Sequence, residues 1–294
     1  MSPIERMKEA LNKPNLAGMK PFAALLALGL PWLAAAEPLR GIPFPEVALS
    51  DAFWAPRIET NRAATIPHLL RELEKQGSLG GFRILAGAKS ETYHGYMWGD
   101  SDVYKTLEGI AAALGLRADP ALAQRMEQIL GGIAAAQAAD GYLFPHLQIT
   151  EPDYRHFADE TTRTCESYSI GHLIEAGVAH HRLTGRTNGL AVARQAAGLL
   201  RRVHAAGERL PVSGHPEIEL ALIKLHEVTG EKTWLELAAS LVDNASRFTT
   251  AWSQGRPPLA HDEAQGHAVA MLYLYSAATD VARLKGDAAL AELM

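Results

Sequence analysis

Three Gly-His pairs stand out in the chain: Gly171-His172, Gly214-His215 and Gly266-His267, each near the head of an apolar run. With 25 glycines and 12 histidines in 294 residues, chance alone gives about one such pair. Placement is more informative than number. A helix N-terminus leaves backbone N–H groups unpaired and carries partial positive charge, which lowers the pKa of a nearby imidazole and keeps it neutral. A neutral imidazole offers one donor and one acceptor nitrogen, the mixture that hydroxyl-rich ligands such as sugars require. Capping or packing between helices is the plain alternative for any one of them. Three histidines at equivalent helix starts would face one rim, and they are read as a shared binding site.

Other candidates cluster around them. Glu166 and Tyr168 fall just ahead of His172 and are placed on the same rim. Asp100 and Asp102 lead an earlier helix, where N-capping competes with a binding role and Asp102 is the candidate taken. Glu217 and Glu219 follow Pro216 and make an acid-rich helix start, favourable without any function. Trp98, Tyr142 and Phe144 could stack on sugar faces, although aromatics more often fill cores. A carboxylate pair for glycoside hydrolysis depends on a separation that a sequence does not give. The one cysteine, Cys165, excludes a disulfide framework and an internal cysteine-based metal site. No nucleophile signature surrounds it, so a buried free thiol is the expected state.

The elements that must position these residues read almost entirely as helix. A Pro-rich entry, 37–56, is expected to be extended, with a short strand near Val47–Leu49. Helices are expected over 57–76, 102–116, 120–138, 166–183, 188–204, 216–228, 232–248 and 263–284, with another beginning at Asp287. Gly185, Gly230 and Gly286 each fall where a left-handed C′ residue ends one helix before the next begins. The units recur roughly 43 and 52 residues apart, as in a solenoid or a closed ring of hairpins. The fold class is therefore all-α, built from helical hairpins.

A formal charge of −5 without a Lys/Arg cluster argues against a nucleic-acid partner. From Met19, the stretch MKPFAALLALGLPWLAAAEP reads as a signal peptide over 19–36, cleaved after Ala36, which implies a periplasmic or secreted protein. Its apolar run is too short and too Pro-interrupted for a membrane span. Residues 1–18 are read as a misassigned upstream start, the alternative being a short amphipathic helix.

Six blocks, in order, resemble glycoside hydrolase family 127, the β-L-arabinofuranosidase-like proteins. They are DAFWAPRIETNRAATIP, GDSDVYKTLEGIAAAL, AAQAADGYL, ESYSIGHLIEAGVAHHRLTG, SGHPEIELALIKLHEVTGEKTWLELA and DEAQGHAVAMLYLYSAATDVARLKGD. Together they cover roughly 47–290, nearly all of the chain after the signal. The resemblance implies an (α/α) six-hairpin barrel over 57–294, a pentofuranose held by His172, His215 and His267, and an arabinose-containing oligosaccharide or glycan as partner. It also implies a retaining mechanism with a cysteine nucleophile beside a zinc bound by cysteines and a glutamate. Those motifs lie beyond the GHAV block in the family, and Cys165 matches none of them. Ala270 stands where the family usually has arginine. The expectation is an incomplete barrel of about four hairpins, the N-terminal part of a longer enzyme, with no catalytic residue, metal ligand or cofactor of its own and an unclosed edge open to self-association. Two other readings compete: a non-catalytic sugar-binding protein, and a different six-hairpin enzyme such as an unsaturated uronyl hydrolase acting through Asp102.

Overall fold

The computed structural model describes residues 42–294 apart from Glu208. The upstream start, the signal peptide and the first residues of the extended entry fall outside the described residues. From Phe44 onward the chain forms one compact unit. It is all-α: among the described residues there is no strand, and no helix is long and apolar enough to cross a membrane.

The first helix, α1 (Trp54–Thr60), starts three residues earlier than expected because Asp51 accepts the N–H groups of Phe53 and Trp54 at 2.8 and 2.7 Å. A widened π turn, Asn61–Thr65, joins it to α2 (Ile66–Lys75). Pro67 lies just past that turn and has no N–H to give to the preceding one, the usual setting for such a distortion. The short strand expected near Val47–Leu49 is absent. Residues 47–49 are irregular and largely exposed, and a strand without a neighbour to pair with is not stable in water.

Eight of the remaining helices form four hairpins: α4 (Gly99–Leu116) with α5 (Pro120–Ala136), α7 (Glu166–Thr184) with α8 (Asn188–Ala206), α9 (Ile218–Thr229) with α10 (Lys232–Asn244), and α11 (Ala268–Lys285) with α12 (Ala288–Leu293). Two short helices, α3 (Ser78–Leu85) and α6 (Pro145–Thr150), were not expected. Gly80 and Gly81 weaken the helical signal in α3, yet Gly81 lets α3 pack closely. A side chain on it would press to 3.1 Å from Pro145 Cβ, at the start of α6.

The first helices of the hairpins pack in chain order, α4 on α7, α7 on α9, and α9 on α11, while each second helix lies against its own partner. This is the layering of α/α hairpin folds. Gly185, Gly230 and Gly286 end α7, α9 and α11 with φ near +70° (73°, 71° and 68°), as the turn pattern predicts. At the centre is α7, whose contacts with α4, α8 and α9 bury Ile170, Leu173, Ile174, Ala176 and Val178 around its whole circumference.

Close packing of α7 on α8 depends on Gly177, where a Cβ would stand 2.6 Å from the Gly189 carbonyl oxygen. Gly177→Ala is expected to lower stability by about 1–3 kcal/mol, the usual range for overpacking a core. Gly131, exposed within α5 with open space around it, is the control. Gly131→Ala is expected to raise stability by about 0.4–1 kcal/mol. Urea unfolding of both variants measures the two signs.

Candidate functional site

The loop ahead of α4, the first turns of α4 and α7, and the two later Gly-His segments enclose a cavity of about 680 Å³. Its walls include Trp98, Asp102, Lys105, Tyr168, His215 and His267. Two non-glycine residues in left-handed conformation line it, Trp98 (φ 65°) and Cys165 (φ 45°). Such backbone is costly and persists only where the surroundings hold it. Here the Trp98 indole N–H donates to the carbonyl of Thr164 at 2.6 Å, tying the α4 loop to the α7 start.

The Gly-His pairs have a structural reason. Each glycine sits where another segment comes too near for a side chain. A Cβ at Gly171 would be 2.7 Å from Glu217 Cγ, one at Gly214 would be 1.8 Å from the Glu160 carbonyl oxygen, and one at Gly266 would be 2.4 Å from the Trp252 carbonyl oxygen. The histidines do not occupy equivalent helix starts. His172 is in the second turn of α7, His215 precedes α9 by three residues, and only His267 is an N-cap. They converge nonetheless. Tyr168 lies edge-on to His172 and His215, at ring distances of 4.6 and 4.8 Å, and His215 lies 5.2 Å from His267. Tyr273 of α11 stands 6.3 Å from both His172 and His215.

Their hydrogen bonds separate the roles of the rings. His215 Nδ1 meets the Pro216 carbonyl oxygen at 2.8 Å, so it carries the proton and leaves Nε2 as an acceptor. Burial, and then His267 and Lys105 nearby, hold the His215 pKa below the usual histidine value. His267 Nδ1 accepts the Ala270 N–H at 3.3 Å, which leaves its Nε2 as the protonated donor. Two neutral imidazoles thus offer one acceptor and one donor from neighbouring positions. His172 is one layer deeper: it is only 3% exposed and does not line the cavity.

Asp102 lines the cavity, accepts a hydrogen bond from the Tyr96 hydroxyl, and stands 3.6 Å from Lys105 Nζ. Glu166 is fully buried and does not line the cavity. Its carboxylate accepts from Tyr142 at 2.7 Å, Thr164 at 2.8 Å, Tyr154 at 3.1 Å and the Phe157 N–H at 2.9 Å. Tyr142 and Phe144 are core residues, and of the three aromatics considered for stacking only Trp98 reaches the cavity. Lys105 and Tyr273 were not anticipated. Lys105 sits one helical turn after Asp102, a legible i,i+3 pair, with its ammonium 4.8 Å above the Tyr168 ring. Nothing in the local sequence marks Tyr273. Glu217 and Glu219, read as an acid-rich helix start, do more than favour the start of α9. Both are fully buried, and Glu219 accepts from Ser213 Oγ at 2.5 Å.

The family model for the GH127 β-L-arabinofuranosidase catalytic domain matches residues 46–294. The chain belongs to glycoside hydrolase family 127. The non-reducing end β-L-arabinofuranosidase of Bifidobacterium longum is 34% identical over 248 residues, 72% of this chain and 37% of that protein. Among solved structures, a GH127 β-L-arabinofuranosidase from Geobacillus stearothermophilus T6 superposes with a TM-score of 0.78 at 32% identity, over 84% of this chain and 44% of its own. A second GH127 β-arabinofuranosidase gives the same score and identity, over 86% of this chain and 42% of its own. The chain therefore spans less than half the length of these relatives.

The zinc implied by the family resemblance, bound by cysteines, does not fit the residues present. The chain has one cysteine, and burial, with Glu160 and Glu166 nearby, pushes the Cys165 thiol up to about 12. It is a protonated thiol near neutral pH, neither a ready metal ligand nor an activated nucleophile. Donor atoms of His172, Glu175 and Glu217 lie within 4.8 Å of one another, but the Lys224 ammonium is paired with Glu175 and opposes a second cation there.

Asp100, buried behind the cavity wall, accepts from Ser169 Oγ at 3.2 Å, and its other oxygen has no partner. Burial raises its pKa to about 7. The folded chain then holds a proton that the unfolded chain releases near pH 4, so this group's contribution to stability falls as pH rises through 7. Histidines with lowered pKa, such as His172 and His215, act in the opposite sense below about pH 6.5, their unfolded value. The stability of the wild type relative to Asp100→Asn is therefore expected to fall between about pH 4.5 and 7 and to level off by pH 8. Urea midpoints of both proteins across that range measure the difference.

Proposed function

We propose that this chain forms the sugar-holding part of a retaining glycoside hydrolase acting on β-L-arabinofuranosides or related plant-type glycans. The observation that carries the proposal is the His215–His267 pair. An acceptor Nε2 and a donor Nε2–H, on rings 5.2 Å apart, suit a hydroxyl pair on a small sugar ring. Trp98, 40% exposed and held by its indole N–H, supplies an apolar face for stacking. Asp102 and Lys105 add a charged pair at the rim. The names of the relatives supply the pentose and the linkage.

The retaining step is assigned to no residue here, because Cys165 is not an activated nucleophile and no zinc-binding set is present among the described residues. Export to the periplasm or outside the cell is proposed on residues 19–36 alone. Self-association is proposed through α11, where Val269 and Leu272 are 50% and 60% exposed, an apolar strip of the kind that draws partners.

Calorimetric titration with methyl β-L-arabinofuranoside tests the proposal. The purified chain is expected to bind it saturably, and His215→Phe and His267→Phe are each expected to weaken binding about tenfold, the equivalent of roughly 1.4 kcal/mol for a lost hydrogen bond. Unchanged affinity in both variants would contradict the site. Release of arabinose from an aryl arabinofuranoside would contradict the statement that this chain lacks the nucleophile.

A further inference from the structure

Helix α7 buries six polar or charged side chains: Glu166, Ser167, Ser169, His172, Glu175 and His180. Five have a hydrogen-bond partner. Glu166 takes four donor groups, Ser167 donates to Glu160, Ser169 donates to Asp100, Glu175 pairs with Lys224, and His180 meets Glu127 at 2.7 Å. His172 is the exception. Neither ring nitrogen has a hydrogen-bond partner, and both oxygens of the neighbouring Glu217 are likewise unpartnered. Yet His172 Nδ1 and Glu217 Oε1 are 3.3 Å apart. Two fully buried groups lacking partners at this separation need an explanation.

We propose that Glu217 is a positioning residue that carries a proton and donates it to His172 Nδ1, fixing His172 as the neutral Nε2–H tautomer beneath Tyr168. The closeness is built into the chain. Residue 171 has to be glycine because a Cβ there would meet Glu217 Cγ at 2.7 Å, so the α7–α9 contact presses Glu217 against the His172 turn.

The charges around the pair favour two neutral groups over two ions. Lys224 on α9 is a cation near the pair, but it is committed to Glu175 on α7. Glu175, Glu108 on α4 and Glu219 on α9 surround Glu217 with acids, and after burial they push its pKa well above the usual carboxylate value. Burial holds His172 down to about 3, helped by Lys105 on α4, His215 and Lys224. Tyr273 on α11 and Tyr168 complete the surroundings. An ionised Glu217 would leave a buried carboxylate without a donor, which costs more than the proton it holds.

The consequence lies in Tyr168. Its ring is edge-on to His172 and to His215 and has Lys105 Nζ 4.8 Å over its face. A neutral His172 leaves that ring one cation to meet. A charged one would set a second cation beside it and displace the wall that carries His215. The role assigned to Glu217 rests on the sugar-site reading above, but the protonation of His172 does not.

The test is ¹⁵N-histidine labelling of the whole chain, with long-range ¹H–¹⁵N correlations between pH 5.5 and 8 and the His172 signal assigned by its loss in His172→Asn. The expected result is one neutral ring, protonated at Nε2 throughout. Glu217→Gln is expected to keep that tautomer, because the amide still donates to Nδ1. Glu217→Leu removes the donor and is expected to give averaged nitrogen shifts. An imidazolium at pH 6–7, or a ring protonated at Nδ1, would overturn the proposal from the wild-type spectra alone, whether or not the leucine variant folds. Methyl β-L-arabinofuranoside added to the same sample reads the other claim. Unmoved His215 and His267 signals would refute the sugar site and leave the Glu217 result intact.

Discussion

The structure turns on one helix that is buried on every side and yet is not apolar. A helix in that position is normally hydrophobic all round. Helix α7 instead carries six buried polar or charged residues, and each buried group needs a partner from a neighbour. Those partners set the arrangement around it: Glu160 from the preceding loop, Asp100 from α4, Glu127 from α5, and Lys224 from α9. Satisfying α7 fixes where its neighbours must stand, and the cavity opens where their ends meet.

The glycines express the same constraint in the backbone. Gly171, Gly177 and Gly214 each lie where another segment approaches to within 2.7 Å of the place a side chain would fill. Close approach brings α9 and the segment before it against α7, and it carries His215 to Tyr168. Around the same cavity, Trp98 and Cys165 adopt left-handed backbone, held by the indole bond to Thr164. Strain concentrated in the lining of one cavity is the pattern expected of a site with a fixed shape. The two imidazoles then acquire opposite polarity from local backbone alone, one turned outward by the Pro216 carbonyl and the other by the Ala270 N–H.

Much of the fold was legible in the sequence. Helix-period patterns, the Asp119-Pro120 start and the glycines at 185, 230 and 286 mark the hairpins, because caps and left-handed turns are local chemistry. The six motif blocks resemble the family that the chain proves to belong to. Less legible was anything set by tertiary contact. Helix α3 was hidden by its two glycines, and the expected strand at Val47–Leu49 had no partner. The Gly-His pairs drew attention as helix starts, whereas their glycines are there for packing and only His267 caps a helix. Glu217 read only as a helix-start acid because burial is not written in one residue's neighbours. Tyr273 joins the cluster through tertiary contact alone, with His172 of α7 and with His215 ahead of α9.

The most direct measurement is a crystal structure of the chain with methyl β-L-arabinofuranoside. The account predicts the sugar ring in the cavity beside Trp98 and Tyr168, with neighbouring hydroxyls donating to His215 Nε2 and accepting from His267 Nε2. A sugar bound elsewhere, or one in the cavity that touches neither histidine, would contradict it.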